Sequence, residues 1–494
     1  MTVVNPKSIS GINSITTGSG SDDLLTIHTN NGTERLRVDS TGTTKIVTGI
    51  VTTLTATTGI VTSLEATTGD ITTLRAPTGI VTSLIANTAR ATTGIVTTLT
   101  ATTGIVTTFV TNTAKVGAAV TITESGIEAS GIGITAANIN GGQLGGVRNK
   151  LINGDMIISQ RGTSESSVAS TKFAQAPDRW QFYCYPSSES GTYTLSQDSE
   201  KPVGFQKSYK VNCTTADTSL QTDSGVILRQ TIEEQNLHNF HKGFSDAKQF
   251  SLSFYVKTTK TGTYVCELYD MRNGRHVSAT YTVSDTNWNR YTITFPADTT
   301  GSFVAASVGG GLIVHWWLVA GTSYTSGSLQ TTWGNTTANR AVGQLNFADS
   351  TSNNFYLTGC QLEVGAEPTF YEHRSFGEEL SLCQRYYQRW KGFSDHNGVG
   401  AGRGNGSSGV FVSVNLIQCL RTTPSITNSG IVVFKAGASS TSTTDTPSLT
   451  NASAYDATSC MFPMNITGLS GITNNYGGYT VFLSSSDLQL DAEM

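Results

Sequence analysis

From Thr48 to Phe109 the chain reads TGIVTTLTATTGIVTSLEATTGDITTLRAPTGIVTSLIANTARATTGIVTTLTATTGIVTTF, with few charges and a single aromatic residue. Gly49, Gly59, Gly69 and Gly79 fall ten apart, and Gly94 and Gly104 resume that spacing after one step of fifteen. This is an internal repeat. Within one unit Ile50, Thr52, Leu54 and Ala56 alternate with Val51, Thr53, Thr55 and Thr57, so one face is the more apolar, as in a half-buried strand. These residue types favour strands over helix interiors. Coiled coil is excluded by the missing three-to-four-residue period, and collagen by glycine that is not every third residue. An odd step would turn every side chain of a continuous strand to the other face. Each glycine is therefore read as a bend that resets the phase, where a positive φ carries no steric cost.

A strand-and-bend unit this small cannot bury a core alone. Its partners are either stacked copies along the chain or identical chains around one axis. Before Leu151 there is no Trp or Tyr, and Phe109 is the sole Phe. We read the segment as a three-chain β-structured fibre, since a disordered Thr-rich linker does not require a regular apolar face.

Across all 494 residues only 13% are charged, with 51 Gly and 10 Pro, which suits strands and turns better than helices. The net charge of −4 and the absence of a basic cluster argue against nucleic acid as a partner. No apolar run reaches the length of a membrane span, and the N-terminus lacks a signal-peptide pattern. A soluble chain made in a cytoplasm is expected. The seven cysteines (Cys184, Cys213, Cys266, Cys360, Cys383, Cys419, Cys460) are widely spaced with no CxxC pair, which predicts reduced thiols. No HExxH or close Cys/His pairing suggests a metal, and no cofactor is expected.

Upstream, GTERLRVDSTGTTKI (Gly32 to Ile46) alternates and then turns, which predicts a small hairpin. From Asn149 onward the character changes. Strand-like runs such as QFSLSFYVK, YTITF, GLIVHWWLVAG and NFYLTGCQLEVG lie between polar turns, the pattern of a two-sheet jelly roll. Then SFGEELSLCQRYYQRW reads as a helix from Ser375 to Trp390. Ser375 and Glu378 form a capping box, and Phe376, Leu380, Cys383, Tyr387 and Trp390 form an apolar stripe. The remainder returns to β patterns joined by polar loops. Gly404, Gly406 and Gly409 match GxGxxG by spacing but lead into the strand VFVSV rather than a helix, so we read a flexible loop and not a dinucleotide site.

The stretches ERLRVDSTG, TGIVT, NKLINGDMIISQRGTS, APDRWQFY, LRQTIEEQNL, FSLSFYVKT, YLTGCQLEVGAEPTFYEHRSFGEELSLCQRYYQ and LDAEM together resemble bacteriophage tail fibre and receptor-binding proteins of marine phages, cyanophages among them. The likeness covers nearly the whole chain. It implies a mainly β protein: residues 1–46 as a virion-attachment segment, 47–115 as the repeat shaft and 116–148 as distal shaft and glycine-rich hinge. It further implies a carbohydrate-binding-module-like jelly roll at 149–374, a connecting helix at 375–390 and a β tip at 391–494. The implied assembly is a homotrimer in the virion, held at its N-terminus by a phage tail or adaptor protein. Its C-terminal domains would meet a host cell-surface glycan, lipopolysaccharide or outer-membrane receptor. A structural fibre of capsid or neck and a glycan-depolymerising tailspike are the alternatives.

The resemblance supplies no site, so candidates come from residue chemistry. The loops from Lys391 to Ser408 and from Ser439 to Tyr479 carry Asn397, Arg403, Asn405, Tyr455, Tyr476 and Tyr479, a mixture that hydrogen-bonds sugar hydroxyls and stacks on sugar faces. Trp316, Trp317 and Trp333 offer stacking faces in the jelly roll, where a sandwich core wants tryptophan equally. Asp178, Arg179 and Trp180 read as a core Trp beside a charge pair. Glycoside hydrolysis needs two carboxylates facing each other across a sugar. Glu233 with Glu234, Glu378 with Glu379, and Asp491 with Glu493 are close in sequence but suggest no cleft, so catalysis is not expected.

Overall fold

The computed structural model describes residues 146–494 apart from 174–175, 187–190, 304–307, 392–397, 430–431, 437–439, 445–447, 452–459, 471, 473–476 and 483–486. Before residue 146 it describes ten strands. The chain forms two units, Met1–Gly133 and Ile134–Met494. The described strands build several antiparallel sheets and make the protein mainly β.

In the first unit Glu34–Val38 and Thr44–Ile46 form the expected hairpin, with Leu36 opposite Ile46, and Leu25–His28 adds a third strand. Within the repeat, Ile80–Val81 runs parallel to Ile95–Val96, and Leu84–Ala89 parallel to Leu99–Gly104. Partners lie fifteen residues apart, the step that separates Gly79 from Gly94. Like therefore stacks on like: Ile80 on Ile95, Leu84 on Leu99, Ala86 on Ala101, Thr88 on Thr103. The partners described here are copies along one chain; Gly79 and Gly94 lie outside the described residues, and Gly104 ends a strand rather than forming a bend. Leu54, Leu64 and the earlier glycines lie outside the described residues.

The second unit begins with a β-sandwich. Its strands are β1 (Ser164–Val168), β2 (Gln181–Tyr185), β3 (Thr192–Asp198), β4 (Ser208–Thr215), β5 (Gly225–Glu233) and β6 (Phe250–Thr258). They continue with β7 (Gly262–Asp270), β8 (Arg275–Val283), β9 (Asn289–Phe295), β10 (Gly310–Ala320) and β11 (Asn354–Val364). A six-stranded sheet in the order β1-β3-β4-β11-β6-β9 faces a five-stranded sheet, β2-β5-β10-β7-β8. Alternation sets the facing: along β4, Tyr209, Val211 and Cys213 are buried while Lys210 and Asn212 are half-buried. Rings from the two sheets meet at the centre, Phe182 against Tyr193 and Phe254 edge-on to Trp316. Strand β10 is buried on both faces. Trp316 enters the sandwich core, and Trp317 packs with Ile227, Val265 and Ala341 under the excursion that follows the strand, which is why its sequence is a continuous apolar run.

Helix α1 spans Phe376–Gln384, and Ser375 Oγ accepts from the Glu378 amide at 3.3 Å as the capping box requires. It does not reach Trp390. Residues Tyr387–Lys391 form strand β12, paired from Tyr387 opposite Asp491 to Lys391 opposite Asp487. Sheet pairing of aromatic residues overrides the helical period there. The helix buries Glu379, Cys383 and Gln384, while Phe376 of the expected stripe is exposed.

The tip strands are β13 (Gly398–Asn405), β14 (Gly409–Asn415), β15 (Ser425–Ser429), β16 (Val432–Ala436), β17 (Ser440–Thr444), β18 (Ser448–Asn451), β19 (Met461–Thr467), β20 (Gly477–Phe482) and β21 (Asp487–Asp491). They form a seven-stranded sheet, β17-β16-β20-β13-β14-β19-β18, and a three-stranded sheet, β12-β21-β15. Val410, Val412, Val414, Phe462, Met464 and Ile466 fill its core with Leu488 and Leu490. Much of what the sequence suggested as loops is therefore strand. In β13 alternate glycines make this possible, because a methyl at Gly400 would overlap the Ser413 carbonyl oxygen and one at Gly402 that of Phe411. The GxGxxG match is a strand and a hairpin turn, with Gly406 at φ 74°. The cysteine expectation also needs correcting. Cys419 and Cys460 form a disulfide, bringing together residues 41 apart, while Cys184, Cys213, Cys266, Cys360 and Cys383 are free and buried. Wide spacing in sequence hides a pair that the tip brings into contact.

Candidate functional site

On the seven-stranded sheet, residues whose neighbours in sequence point inward must point outward. Val410, Val412 and Val414 are buried, so Phe411 and Ser413 occupy the outer face, and pairing carries that face across the sheet. Arg403 lies opposite Phe411, Phe411 opposite Asn465, and Asn465 opposite Thr450. In the next row Tyr479 lies opposite Ala401, and Ala401 opposite Ser413. Arg403 and Tyr479 are thus diagonal neighbours, about 7–8 Å apart in backbone terms. Asn405 continues the same face beyond Arg403. Tyr479 is 49% exposed, Arg403 and Asn405 are exposed, and the Arg403 guanidinium lies 5.3 Å from the Phe411 ring centroid. The result is a partly exposed surface with aromatic rings, a cation, amides and hydroxyls.

Three of the nine candidate residues, Arg403, Asn405 and Tyr479, therefore come together. Asn397, Tyr455 and Tyr476 lie outside the described residues. The tryptophans do not offer stacking faces. Trp316 and Trp317 are 0% and 1% exposed, and Trp317 Nε1 donates to Glu267 at 3.0 Å. Trp333 is 9% exposed, with its Nε1 donating to the Pro296 carbonyl at 2.7 Å and Lys242 over its ring. Phe411 and Asn465 were missed by sequence reasoning. Their signal was available, in the alternation of GVFVSVN and MFPMNIT, but which face was solvated was not.

The carboxylates weighed for catalysis are mostly held by cations. Glu233 is fully buried and takes both arms of Arg385, at 2.8 and 2.9 Å, plus the Tyr386 hydroxyl at 2.5 Å. Burial pushes its pKa up, but these donors hold it below the usual carboxylate range. Glu379 pairs with Arg374 and accepts from the Asn153 amide, Asp491 pairs with Arg161 at 2.9 Å, and Glu493 pairs with Arg179. Glu234 lies 3.5 Å from Arg272. Trp180 is in the core against Trp316, as expected, but Asp178 and Arg179 do not pair with each other. Asp178 accepts from Gln160 at 2.7 Å and lies 3.8 Å from Arg161. Among the described residues no group of three or more His, Cys, Asp or Glu could hold a metal, and no helix is long and apolar enough to cross a membrane.

No family model matches the chain, and no curated protein matches it. It is similar to the enzymatically active domain of tailspike protein 4 of bacteriophage CBA120, at 11% identity and TM-score 0.23, covering 44% of this chain and 21% of that one. It is also similar to a family 16 carbohydrate-binding module, at 14% identity and TM-score 0.18, covering 34% of this chain and 84% of that one. A third similar structure is the CBM22-1 xylan-binding domain of Paenibacillus barcinonensis Xyn10C, at 13% identity and TM-score 0.21, covering 41% and 92%.

Proposed function

We propose that the chain is a bacteriophage tail fibre that binds a glycan on the host surface through its tip, and that it acts by binding rather than by catalysis. The observation that carries this reading is the exposed sheet face on which Arg403, Asn405, Phe411 and Tyr479 gather. Rings beside hydrogen-bonding side chains are what sugar recognition uses. The fibre assembles as a homotrimer in the host cytoplasm and joins the virion through a tail or adaptor protein at its N-terminus. Support for a multi-chain shaft is the narrow apolar payload of the repeat in sequence, too small for one unit to bury a core by itself. Support for a non-catalytic role is that the carboxylates best placed in sequence are held in ion pairs.

The test is competition between purified full-length protein and phage for host cells. The Arg403→Ala/Tyr479→Ala variant should fold normally, since both residues are exposed, and should compete at least tenfold less well. A variant that blocks adsorption as well as the parent protein would remove the tip sheet from recognition.

A further inference from the structure

We infer a second saccharide site, for acidic sugars, on the outer face of the six-stranded sheet; this rests on the reading of the chain as a glycan binder. Lys210 in β4 lies opposite Tyr356 in β11, and Tyr356 lies opposite Lys257 in β6. These three side chains form one row across three adjacent strands, each about 4.8 Å from the next. All three are half-buried, so each presents part of itself to solvent. The Lys210 ammonium sits 5.2 Å from the Tyr356 ring centroid. Trp288, from the turn before β9, stands edge-on to the same ring at 6.2 Å and 66°.

Trp288 is the anomaly that points to a ligand. Trp180, Trp316, Trp317 and Trp333 are buried, and Trp390 packs against the tip core. Trp288 sits in the polar turn SDTNWNR and joins no core cluster. Its Nε1 donates to Glu200 Oε1 at 3.2 Å, the same oxygen that takes the Lys257 ammonium at 3.1 Å. The ring is half-buried, held by this hydrogen bond and its edge-on contact with Tyr356, and leaves part of its surface to solvent outside any core. Beside it runs a groove of about 320 Å³ lined by residues 199–205, with Glu200 and Lys201 among them.

The chemistry fits an acidic saccharide. A sugar ring has an apolar face to lay on Trp288 and Tyr356, and a carboxylate or sulfate then falls between two ammonium groups. Both lysines are paired now, Lys210 with Asp198 at 3.6 Å and Lys257 with Glu200 at 3.1 Å. All four side chains are about a quarter or more exposed, and pairs so solvated are worth little, so exchange for a ligand anion is easy. Near this row the same face carries Thr194, Ser196, Asn212 and Asn354, with Tyr255 two residues before Lys257, hydroxyls, amides and a ring that suit a sugar better than an aliphatic protein surface.

The experiment titrates the full-length protein with oligogalacturonate, a heparin-derived oligosaccharide and neutral dextran, following acrylamide quenching of tryptophan and binding heat. At least one anionic chain should bind, shield Trp288 from the quencher, and weaken as salt rises. Binding of the heparin-derived chain alone assigns the acid as sulfate, and binding of oligogalacturonate shows that a carboxylate suffices. Trp288→Ala and Lys210→Ala/Lys257→Ala should each lose at least tenfold, while Arg403→Ala/Tyr479→Ala leaves this binding unchanged. Equal binding of dextran, unaltered binding by Trp288→Ala, or no binding of either anionic chain overturns the inference. The tip reading is judged separately, by adsorption of the tip variant to cells.

Discussion

Replacing Arg340 by Met tests the charge network on the outer side of the five-stranded sheet. Glu267 is fully buried and accepts from Arg340 at 2.6 and 3.0 Å, from Trp317 Nε1 at 3.0 Å and from His315 Nδ1 at 2.8 Å. An ionised carboxylate only accepts, so Nδ1 carries the proton. Burial pushes Glu267 up, yet the Arg340 charge and His315 hold it at about 2. Burial drives His315 the other way, down to about 4. Removing the guanidinium leaves a buried carboxylate without its cation, which costs about 3–5 kcal/mol. For a sandwich of this size that lowers the melting temperature by roughly 6–20 °C at pH 8. The pH dependence gives a second readout. In the parent protein the unfolded chain protonates His315 near its ordinary value while the folded one does not until about 4, so this group's contribution, about 3 kcal/mol, is lost on acidification across that window. In the variant Glu267 is released upward, and the folded state takes up a proton in the same window. The slope therefore flattens or reverses. Adding Glu267→Gln removes the orphaned charge and should recover at least half the loss. Scanning calorimetry of the full chain decides: a single variant melting within about 2 °C of the parent at pH 8, with an unchanged acid slope, refutes the reasoning.

Glu493→Gln leaves the fully buried Arg179 without its anion; the tip should loosen by about 3–5 kcal/mol, read as new proteolysis around residues 385–391, and an unchanged digest counts against it. Cys419→Ser/Cys460→Ser opens a closure of 41 residues, worth up to about 4 kcal/mol by chain entropy, so the tip melt should fall while the sandwich melt stays; equal melts for both proteins would deny the bond a role. Gly400→Ala should unfold the tip sheet, because its methyl meets the Ser413 carbonyl, whereas Gly406→Ala, at φ 74° with open space around it, should cost about 1–2 kcal/mol. Similar melts for those two variants would mean β13 tolerates side chains on its inner face.

Periodicity made the architecture readable wherever one face of an element was buried. The sandwich strands and the alternation of GVFVSVN follow from it. It failed where tertiary pairing competed with local preference. QRYYQRW keeps a helical stripe, yet its last four residues beside β21 are strand. GVGAGRGN has the composition of a loop, yet it is central in a sheet because its neighbours leave room only for glycine. The site was legible in chemistry but not in placement. Tyr479 and Arg403 are 76 residues apart in sequence and become neighbours only through β20 pairing with β13. Trp316, Trp317 and Trp333 were indistinguishable from Trp288 as residue types, and burial separates them.

The stretches that carried the resemblance acquire a common physical role from their contacts. Arg161, from NKLINGDMIISQRGTS, reaches Asp491 at 2.9 Å and Glu493 at 3.5 Å in LDAEM, and stacks 3.8 Å from the Tyr387 ring. Arg179, from APDRWQFY, pairs with Glu493 and lies 3.4 Å from the Tyr386 ring. Glu233, from LRQTIEEQNL, holds Arg385 and Tyr386 of QRYYQ. Arg421 closes the junction with bonds to the Ala492 and Glu493 carbonyls at 3.0 and 3.1 Å. These groups join the sandwich to the last strand and the tip, and each is a buried or half-buried charge whose loss strands its partner. Changes at the junction therefore come in matched sets or not at all. Exposed positions on the outer face of the seven-stranded sheet are less tightly coupled, because no buried charge is stranded when a solvated side chain there is changed. On the proposed reading, a chain built this way can alter the surface its tip presents while the joint that holds the tip stays the same.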